Sequence, residues 1–185
     1  MTADNRKERT KQSLLAAMAD LLTKESFDQI TTTELARAAH ISRSGFYTHY
    51  KDKYEMIDRY QSMLFNQLEY IFDKHSHNKK GAILETFEFL NRDPLFASLL
   101  STKETRDIQE FLKIKFKRLF AEEVEVGFSQ GVQSRFQKRQ MTDIEKEYGV
   151  TYLVNALFGV CQMWIERGKI ESPEQMTNFV LKMIV

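Results

Sequence analysis

Four neighbouring positions in this chain have the chemistry needed to read base pairs in DNA. Arg43 is the strongest candidate, because a guanidinium can donate two hydrogen bonds to guanine O6 and N7. Ser44 and Thr48 are suited to base edges or to a thymine methyl group. Gly45 leaves out a side chain at a point where a helix has to approach the DNA closely. These positions fall within the segment 42–48, so one short helix would present them together.

Three hydroxyl residues, Thr32, Thr33 and Ser42, lie where two helices are expected to begin. The first N–H groups of a helix have no partner within the helix, and together with nearby hydroxyls they bind phosphate oxygens. We therefore expect these residues to position the protein on the DNA backbone.

The elements that hold these residues can be predicted from capping signals. Thr31 followed by Glu34 is a capping box, which predicts a helix to about Ala39. Ile41 lies in the following turn, and a further helix is expected from Ser42 or Arg43 to Tyr50. Two short helices joined by a tight turn have the layout of a helix-turn-helix, in which one helix lies in the major groove.

A preceding amphipathic helix over residues 4–25 completes a small three-helix core. Its apolar stripe, Leu14, Leu15, Met18, Leu21 and Leu22, is continued by Phe27 and Ile30. The side chains expected to pack against it are Leu35, Ala36, Ala39, Ile41 and Phe46.

Residues 10–57 resemble the DNA-binding domain of the TetR family of bacterial transcriptional regulators. The most specific segment is Phe46-Tyr47-Thr48-His49-Tyr50-Lys51-Asp52-Lys53. The resemblance implies phosphate contacts at Tyr47 and His49. A structural role is the alternative for His49. The resemblance also places Lys53 at the start of a fourth helix, facing the DNA backbone. His40 occupies the turn position where the family usually has glycine, and this position often needs a positive φ.

The rest of the chain indicates an all-α protein of about nine helices. The fourth helix is expected to run from Lys53 to about His75. Further starts are predicted near residue 82, at Asp93-Pro94, at the capping box Ser101/Glu104 (to about Gly127 or Gly131), at Thr142/Glu145 and at Ser172/Gln175. We place a helix-turn-helix domain at residues 1–52 and a larger helical domain at residues 53–185.

The resemblance implies that this second domain forms a homodimer and holds a small-molecule effector. A dimer would place two recognition helices roughly 34–36 Å apart on a near-palindromic double-stranded operator. The residues predicted for the dimer interface are Ala156, Gly159, Val160, Met163, Met176, Phe179, Val180 and Met183. The residues predicted to line an effector pocket, each also suited to an ordinary core, are Phe87, Leu90, Phe111, Lys115, Tyr152, Phe158, Cys161, Gln162 and Trp164.

Composition limits the cellular location and the class of protein that this chain can belong to. The single cysteine excludes an internal disulfide and fits a reducing cytoplasm. Residues 1–13 are too polar for a signal peptide, and Asn155 and Gln162 interrupt the longest apolar run, so we expect no membrane span. Residues 1–53 hold nine Lys/Arg against seven Asp/Glu, and the remainder 18 against 19, a slight basic excess at the end expected to bind DNA.

No arrangement of residues resembles a catalytic site, so we expect that the protein is not an enzyme and that it uses no cofactor. His75 and His77 lack the further ligands that a metal site needs. The expected function is that of a homodimeric repressor which an effector releases from its operator. The alternatives are a TetR-like activator or co-regulator acting through a protein partner, and a module that has lost DNA binding; the intact Arg43, Tyr47 and Lys53 disfavour the last.

Overall fold

The computed structural model describes residues 3–75, 78–101, 109–110, 113–114, 117 and 142–184, and within these residues the protein is all-helical. The N-terminal helices are α1 (Ala3–Leu22), α2 (Thr32–Ala38) and α3 (Arg43–Tyr47). They are followed by α4 (Lys53–Lys74), α5 (Lys79–Arg92) and α6 (Pro94–Leu100). The last two described helices are α7 (Asp143–Glu166) and α8 (Pro173–Ile184).

The entry to α2 confirms the predicted capping box. Thr31 Oγ1 accepts from the backbone N–H of Glu34 at 3.2 Å, while the Glu34 carboxylate accepts from the Thr31 N–H at 3.0 Å. The Thr31 hydroxyl also donates to the Glu34 carboxylate at 2.6 Å, and this hydrogen bond, followed by the one from the Thr31 backbone N–H, holds the pKa of Glu34 below its usual value. The start of α2 is thus defined by side chains within three residues of one another.

The turn between α2 and α3 confirms the expected backbone of His40. Its φ is 56°, in the left-handed region that usually favours glycine. The N–H of Ile41 reaches back to the Ala36 carbonyl at 3.0 Å. This closes the end of α2 in the way a glycine normally does, so histidine here preserves the turn geometry.

Three helix ends differ from the predictions. α5 begins at Lys79, capped by Asn78, rather than near residue 82. α1 ends at Leu22, before a turn through Phe27, rather than at residue 25. α3 ends at Tyr47 rather than Tyr50, because the N–H groups of Thr48 and His49 bond carbonyls three residues back in a tightened turn. The predicted apolar contacts are confirmed: the side chains that share the core with α1 are Leu35, Ala36, Ala39 and Phe46, with Ile41 partly buried against them.

The long helix α4 joins this N-terminal unit to α5 and α6. Asp93 caps α6 by accepting from the Phe96 N–H at 3.0 Å, and Pro94 occupies its first turn, as predicted. The same Asp93 oxygen accepts from the Tyr60 hydroxyl of α4 at 2.8 Å. α6 also packs against α1. α6 therefore links α4 to the N-terminal unit.

The helices α7 and α8 are joined by a short turn that confirms the predicted signals. α7 begins with the Thr142/Glu145 capping box and ends before Gly168, whose φ is 78°. At the start of α8, Ser172 and Gln175 exchange side-chain-to-backbone hydrogen bonds of 2.8 and 3.3 Å. α8 packs against α5.

The predicted helix that starts at Ser101/Glu104 lies largely outside the described residues. Only positions 109–110, 113–114 and 117 of that segment are described, and they are helical. The eight helices bounded above account for the other helices of the expected nine.

Candidate nucleic-acid interface

The outward face of α3 carries most of the predicted base-reading residues. Arg43, Ser44, Tyr47 and Thr48 are exposed, whereas Phe46 is completely buried between α3 and the core. The Arg43 guanidinium lies over the Tyr47 ring, 5.7 Å from its centroid. Helical spacing places these two side chains one turn apart, so ring contact supports the guanidinium while leaving it at the surface.

Ser42 and Gly45 form the start of α3. The Gly45 N–H donates to Ser42 Oγ at 3.0 Å, and the hydroxyl of Ser44 lies 3.0 Å from the same oxygen. A Cβ at position 45 would lie 3.2 Å from Ser42 Oγ. A side chain at position 45 would therefore crowd the Ser42 cap, a local reason for glycine that the sequence interpretation of close DNA approach did not include. Thr48 closes the helix by donating its hydroxyl to the Gly45 carbonyl at 2.7 Å.

Thr32 and Thr33 occupy the first turn of α2, directly after the Thr31 cap. Thr33 is exposed and Thr32 is half-buried. Since α2 packs against α3, the two predicted phosphate-binding hydroxyls belong to the same small unit as Arg43.

His49 lies half-buried just beyond α3. Its burial and the nearby charges of Lys11 and Lys7 hold the pKa of its imidazole below the usual value. The neutral ring is consequently favoured at physiological pH. These two lysines of α1 therefore lie near the predicted interface, and sequence reasoning did not single them out although they lie one helical turn apart.

Lys53 requires a correction. It was predicted to face the DNA backbone, but only 8% of it is exposed. Its ammonium donates to the backbone carbonyls of Phe27, Asp28 and Ile30 at 2.7, 2.9 and 2.7 Å. An ammonium has three donors, and all three are used inside the protein. Burial lowers the pKa of Lys53, with Asp28 and Glu25 acting in the opposite direction.

The residues predicted for the dimer interface divide into two sets. Met163, Phe179 and Met183 are 61%, 46% and 69% exposed; Ala156 and Gly159 are exposed with them. Met176 and Val180 are buried inside the chain, so their placement in an interface was wrong, and Val160 is half-buried. The reason is that α8 turns one of its two apolar stripes toward α5.

The residues predicted for an effector pocket also divide. Phe87, Leu90, Phe158 and Trp164 are buried, and the rings of Phe87 and Trp164 meet edge to face at 5.3 Å.

Cys161 and Gln162 are half-buried, and desolvation raises the pKa of the Cys161 thiol to about 12. Tyr152 is 74% exposed, which contradicts its assignment to an interior pocket. Phe111 and Lys115 lie outside the described residues.

Two further findings concern membranes and metals. Among the described helices, α7 is long and apolar enough to cross a membrane, a property that core helices of water-soluble proteins share. In the same part of the chain, no three His, Cys, Asp or Glu side chains are placed to hold a metal ion together. His75 instead contacts Glu85 at 2.6 Å, and His77 lies outside the described residues.

A capped helix-turn-helix with an exposed polar second helix, followed by a larger helical body, defines the chain as a helix-turn-helix protein. Residues 14–60 match the family described as "Bacterial regulatory proteins, tetR family". Residues 77–185 match "Transcriptional regulator C-terminal region". The chain therefore belongs to the TetR family of bacterial transcriptional regulators.

Similar proteins agree with this assignment. The chain is 27% identical to the uncharacterized HTH-type transcriptional regulator YxbF of Bacillus subtilis over 184 residues, covering 98% of this chain and 46% of that protein. It thus spans about half the length of this curated relative.

Two solved structures share the fold. NalD, the secondary repressor of the MexAB-OprM multidrug efflux pump in Pseudomonas aeruginosa, is similar at TM-score 0.66 and 16% identity, with 97% of this chain and 95% of that chain covered. The dihydroxyacetone kinase operon activator DhaS is similar at TM-score 0.57 and 18% identity, with 95% and 93% covered. At these identities the likeness concerns the fold.

Proposed function

We propose that this chain binds a specific operator in double-stranded DNA as a homodimer and regulates transcription in the cytoplasm. The observation that carries the proposal is the exposed face of α3, where Arg43 and Tyr47 stack at the surface over a fully buried Phe46. A basic and polar helix face above an apolar anchor is what insertion into a major groove requires. Arg43 and Ser44 would contact bases, and Ser42, Thr32, Thr33 and Tyr47 would contact phosphates.

Dimerisation through α7 and α8 would explain the apolar surface that the described residues leave uncovered. Tyr148, Tyr152, Ala156, Gly159 and Met163 follow one another at spacings of four, four, three and four residues, so they share one face of α7. Along the helix this face extends over about 22 Å. Among the described residues, no atom lies within 4 Å of a Cβ built at Gly159, which leaves room for a neighbouring helix. Phe179 and Met183 would add the exposed stripe of α8 to the same interface.

We further propose that a small apolar molecule relieves repression by binding in the helical body, where Phe87, Phe158 and Trp164 supply an aromatic interior. Such a ligand acts by favouring an arrangement of the dimer in which the two α3 helices no longer match the operator spacing.

Selection of binding sites from random DNA, followed by footprinting, tests the proposal. We expect enrichment of a near-palindrome whose half-site centres lie about one helical turn apart or somewhat more. Transcription in vitro from a promoter carrying that site should then fall when the protein is added. Enrichment of no sequence above background would refute specific DNA binding. Increased transcription would refute repression in favour of activation.

A further inference from the structure

The ammonium of Lys53 joins two parts of the molecule that are distant in sequence. Lys53 is the first residue of α4, and its three hydrogen-bond acceptors belong to the turn between α1 and α2. The rings of Phe27 and Tyr54 flank the ammonium, with centroids 4.8 and 5.3 Å from Nζ. These two rings meet edge to face at 5.3 Å and enclose the charge from two sides.

This arrangement satisfies groups that would otherwise be orphaned. Phe27 and Ile30 are buried, so their carbonyls have little access to water. An unsatisfied buried carbonyl is destabilising, and a buried ammonium is tolerated only when its donors are all used. The carbonyls and the ammonium therefore satisfy one another's hydrogen bonds, and these bonds stabilise the observed conformation of the turn.

The acceptor at Ile30 is adjacent to the entry of the helix-turn-helix. Thr31, the next residue, caps α2, and Thr32 and Thr33 follow in its first turn. At the other end of the contact, Asp52 caps α4 by accepting from the Glu55 N–H at 2.8 Å. A shift of the first turn of α4 would therefore be passed through Lys53 to the start of α2.

We propose that Lys53 is a positioning residue for operator binding: it locks the α1–α2 turn to the first turn of α4 and so sets the place of α2 and α3 relative to α4, without touching DNA. The proposal rests on the proposed DNA-binding function. It also assigns a route by which movement of α4 changes the DNA-binding unit. Affinity then depends on Lys53 through geometry, whereas a phosphate contact would depend on its charge at the DNA surface.

The two roles are separated by the salt dependence of binding. We expect Lys53→Met, which keeps the apolar stem, to weaken operator binding by about tenfold. The slope of log K against log salt should stay unchanged, whereas loss of a phosphate contact lowers it by about one. Amide hydrogen exchange of residues 30–34 should accelerate together with the loss of affinity. Lys80→Met, which removes the same charge from an exposed side chain in the first turn of α5, should change none of these quantities.

A measurement on the unmodified chain covers the case in which Lys53→Met does not fold. With ¹⁵N-labelled lysine, the Lys53 ammonium should give a slowly exchanging ¹H–¹⁵N signal in the free protein, because its protons are buried and bonded. The signal should stay at the same position when operator DNA is added.

Fast exchange in the free protein, or a slope that falls by about one in Lys53→Met without faster amide exchange, would overturn the proposal. Failure of the unmodified chain to bind any DNA would instead refute the proposed function, and the ammonium signal and amide exchange would still test the lock.

Discussion

Arg43 and Lys53 carry the same charge in opposite environments. The Arg43 guanidinium lies at the surface against one ring face, whereas the Lys53 ammonium is enclosed by three carbonyls and two rings. A planar guanidinium retains donors for a base edge while it stacks on a ring. A compact ammonium can instead direct all its donors at converging carbonyls. The difference between the two residues is therefore one of donor geometry.

Arg43→Ala tests the base-reading role directly. We expect specific operator binding to lose about 1–3 kcal/mol and discrimination at one base pair to relax, with little change on random DNA. Competition titrations against single-base operator variants measure both effects. Arg92→Ala, a matched loss of charge at the end of α5, should leave affinity unchanged. Equal weakening of specific and random DNA binding by Arg43→Ala would contradict base recognition.

Ser42 combines a cap with a proposed phosphate contact, and two substitutions separate them. Ser42→Ala removes the acceptor of the Gly45 N–H and should lower the free energy of unfolding by about 1 kcal/mol. Ser42→Asp keeps a capping oxygen, so it should preserve stability while its carboxylate repels phosphates and weakens DNA binding. Thermal unfolding and operator titration give the two readouts. A Ser42→Asp variant that binds DNA normally would argue against the phosphate contact.

At the scale of elements, α4 is held at its start by Lys53, in its middle by Tyr60 and at its end by Lys74 and His75. The Tyr60 hydroxyl donates to Asp93, and burial, followed by the nearby carboxyl of Asp93, raises the pKa of that phenol. Glu85 of α5 accepts from Lys74 at 2.7 Å and lies 2.6 Å from His75. Each contact joins α4 to a different neighbour.

Tyr60→Phe should measure the link between α4 and α6. The buried hydroxyl is lost while the ring stays, so we expect the free energy of unfolding to fall by about 1.5 kcal/mol. Tyr70→Phe is the control, since Tyr70 lies on the same helix with 59% of its surface exposed. Denaturant unfolding of both variants provides the measurement. Equal stability of the two variants would show that the Tyr60–Asp93 bond contributes nothing.

The contact at the end of α4 predicts a dependence on acid. Hydrogen bonds from Lys74 and His75 hold the pKa of Glu85 below its ordinary value. A carboxylate whose pKa is lower in the folded than in the unfolded state stabilises the fold fully at pH values above its unfolded-state pKa. This stabilisation is lost as the pH falls through its folded-state pKa. Glu85→Gln should therefore flatten the loss of stability below about pH 4.5. Glu88→Gln, on the same helix, is the control, and identical acid-unfolding curves for Glu85→Gln and the unmodified chain would contradict the link.

The sequence predicts helix starts well because their signals are local. The boxes at Thr31 and Thr142 and the cap at Asp93 need only residues three positions apart, and each is present in the structure. Destinations of side chains are harder to predict. The position of the Lys53 side chain depends on carbonyls 23 to 26 residues away. α8 has two apolar stripes, and packing against α5 determines which of them is buried, so Val180 is buried and Phe179 is exposed.

At the scale of the whole molecule, the described part of the chain leaves one long apolar face without a partner. Val150, Val154, Phe158 and Trp164 bury one side of α7, and the opposite side keeps Tyr152 and Met163 at the surface. A second copy and a lipid bilayer are two environments that could cover it. The small residues Ala156 and Gly159 at the centre of the face favour close approach of another helix, and Asn155 and Gln162 disfavour insertion into lipid.

Gly159→Glu decides between these environments. Because Gly159 is exposed and no described atom lies within 4 Å of a Cβ built there, glutamate should fit the protomer and even improve helix propensity, leaving its thermal stability intact. In a dimer it would place two charges against each other without water.

Sedimentation should therefore show monomers for Gly159→Glu and dimers for the unmodified chain and for Lys146→Glu, a charge change on the opposite side of α7. Operator binding should become weaker and lose its two-half-site footprint, since each monomer reads one half-site. Dimers that persist in Gly159→Glu would refute this interface, and partition of the unmodified chain into vesicles would favour the membrane instead.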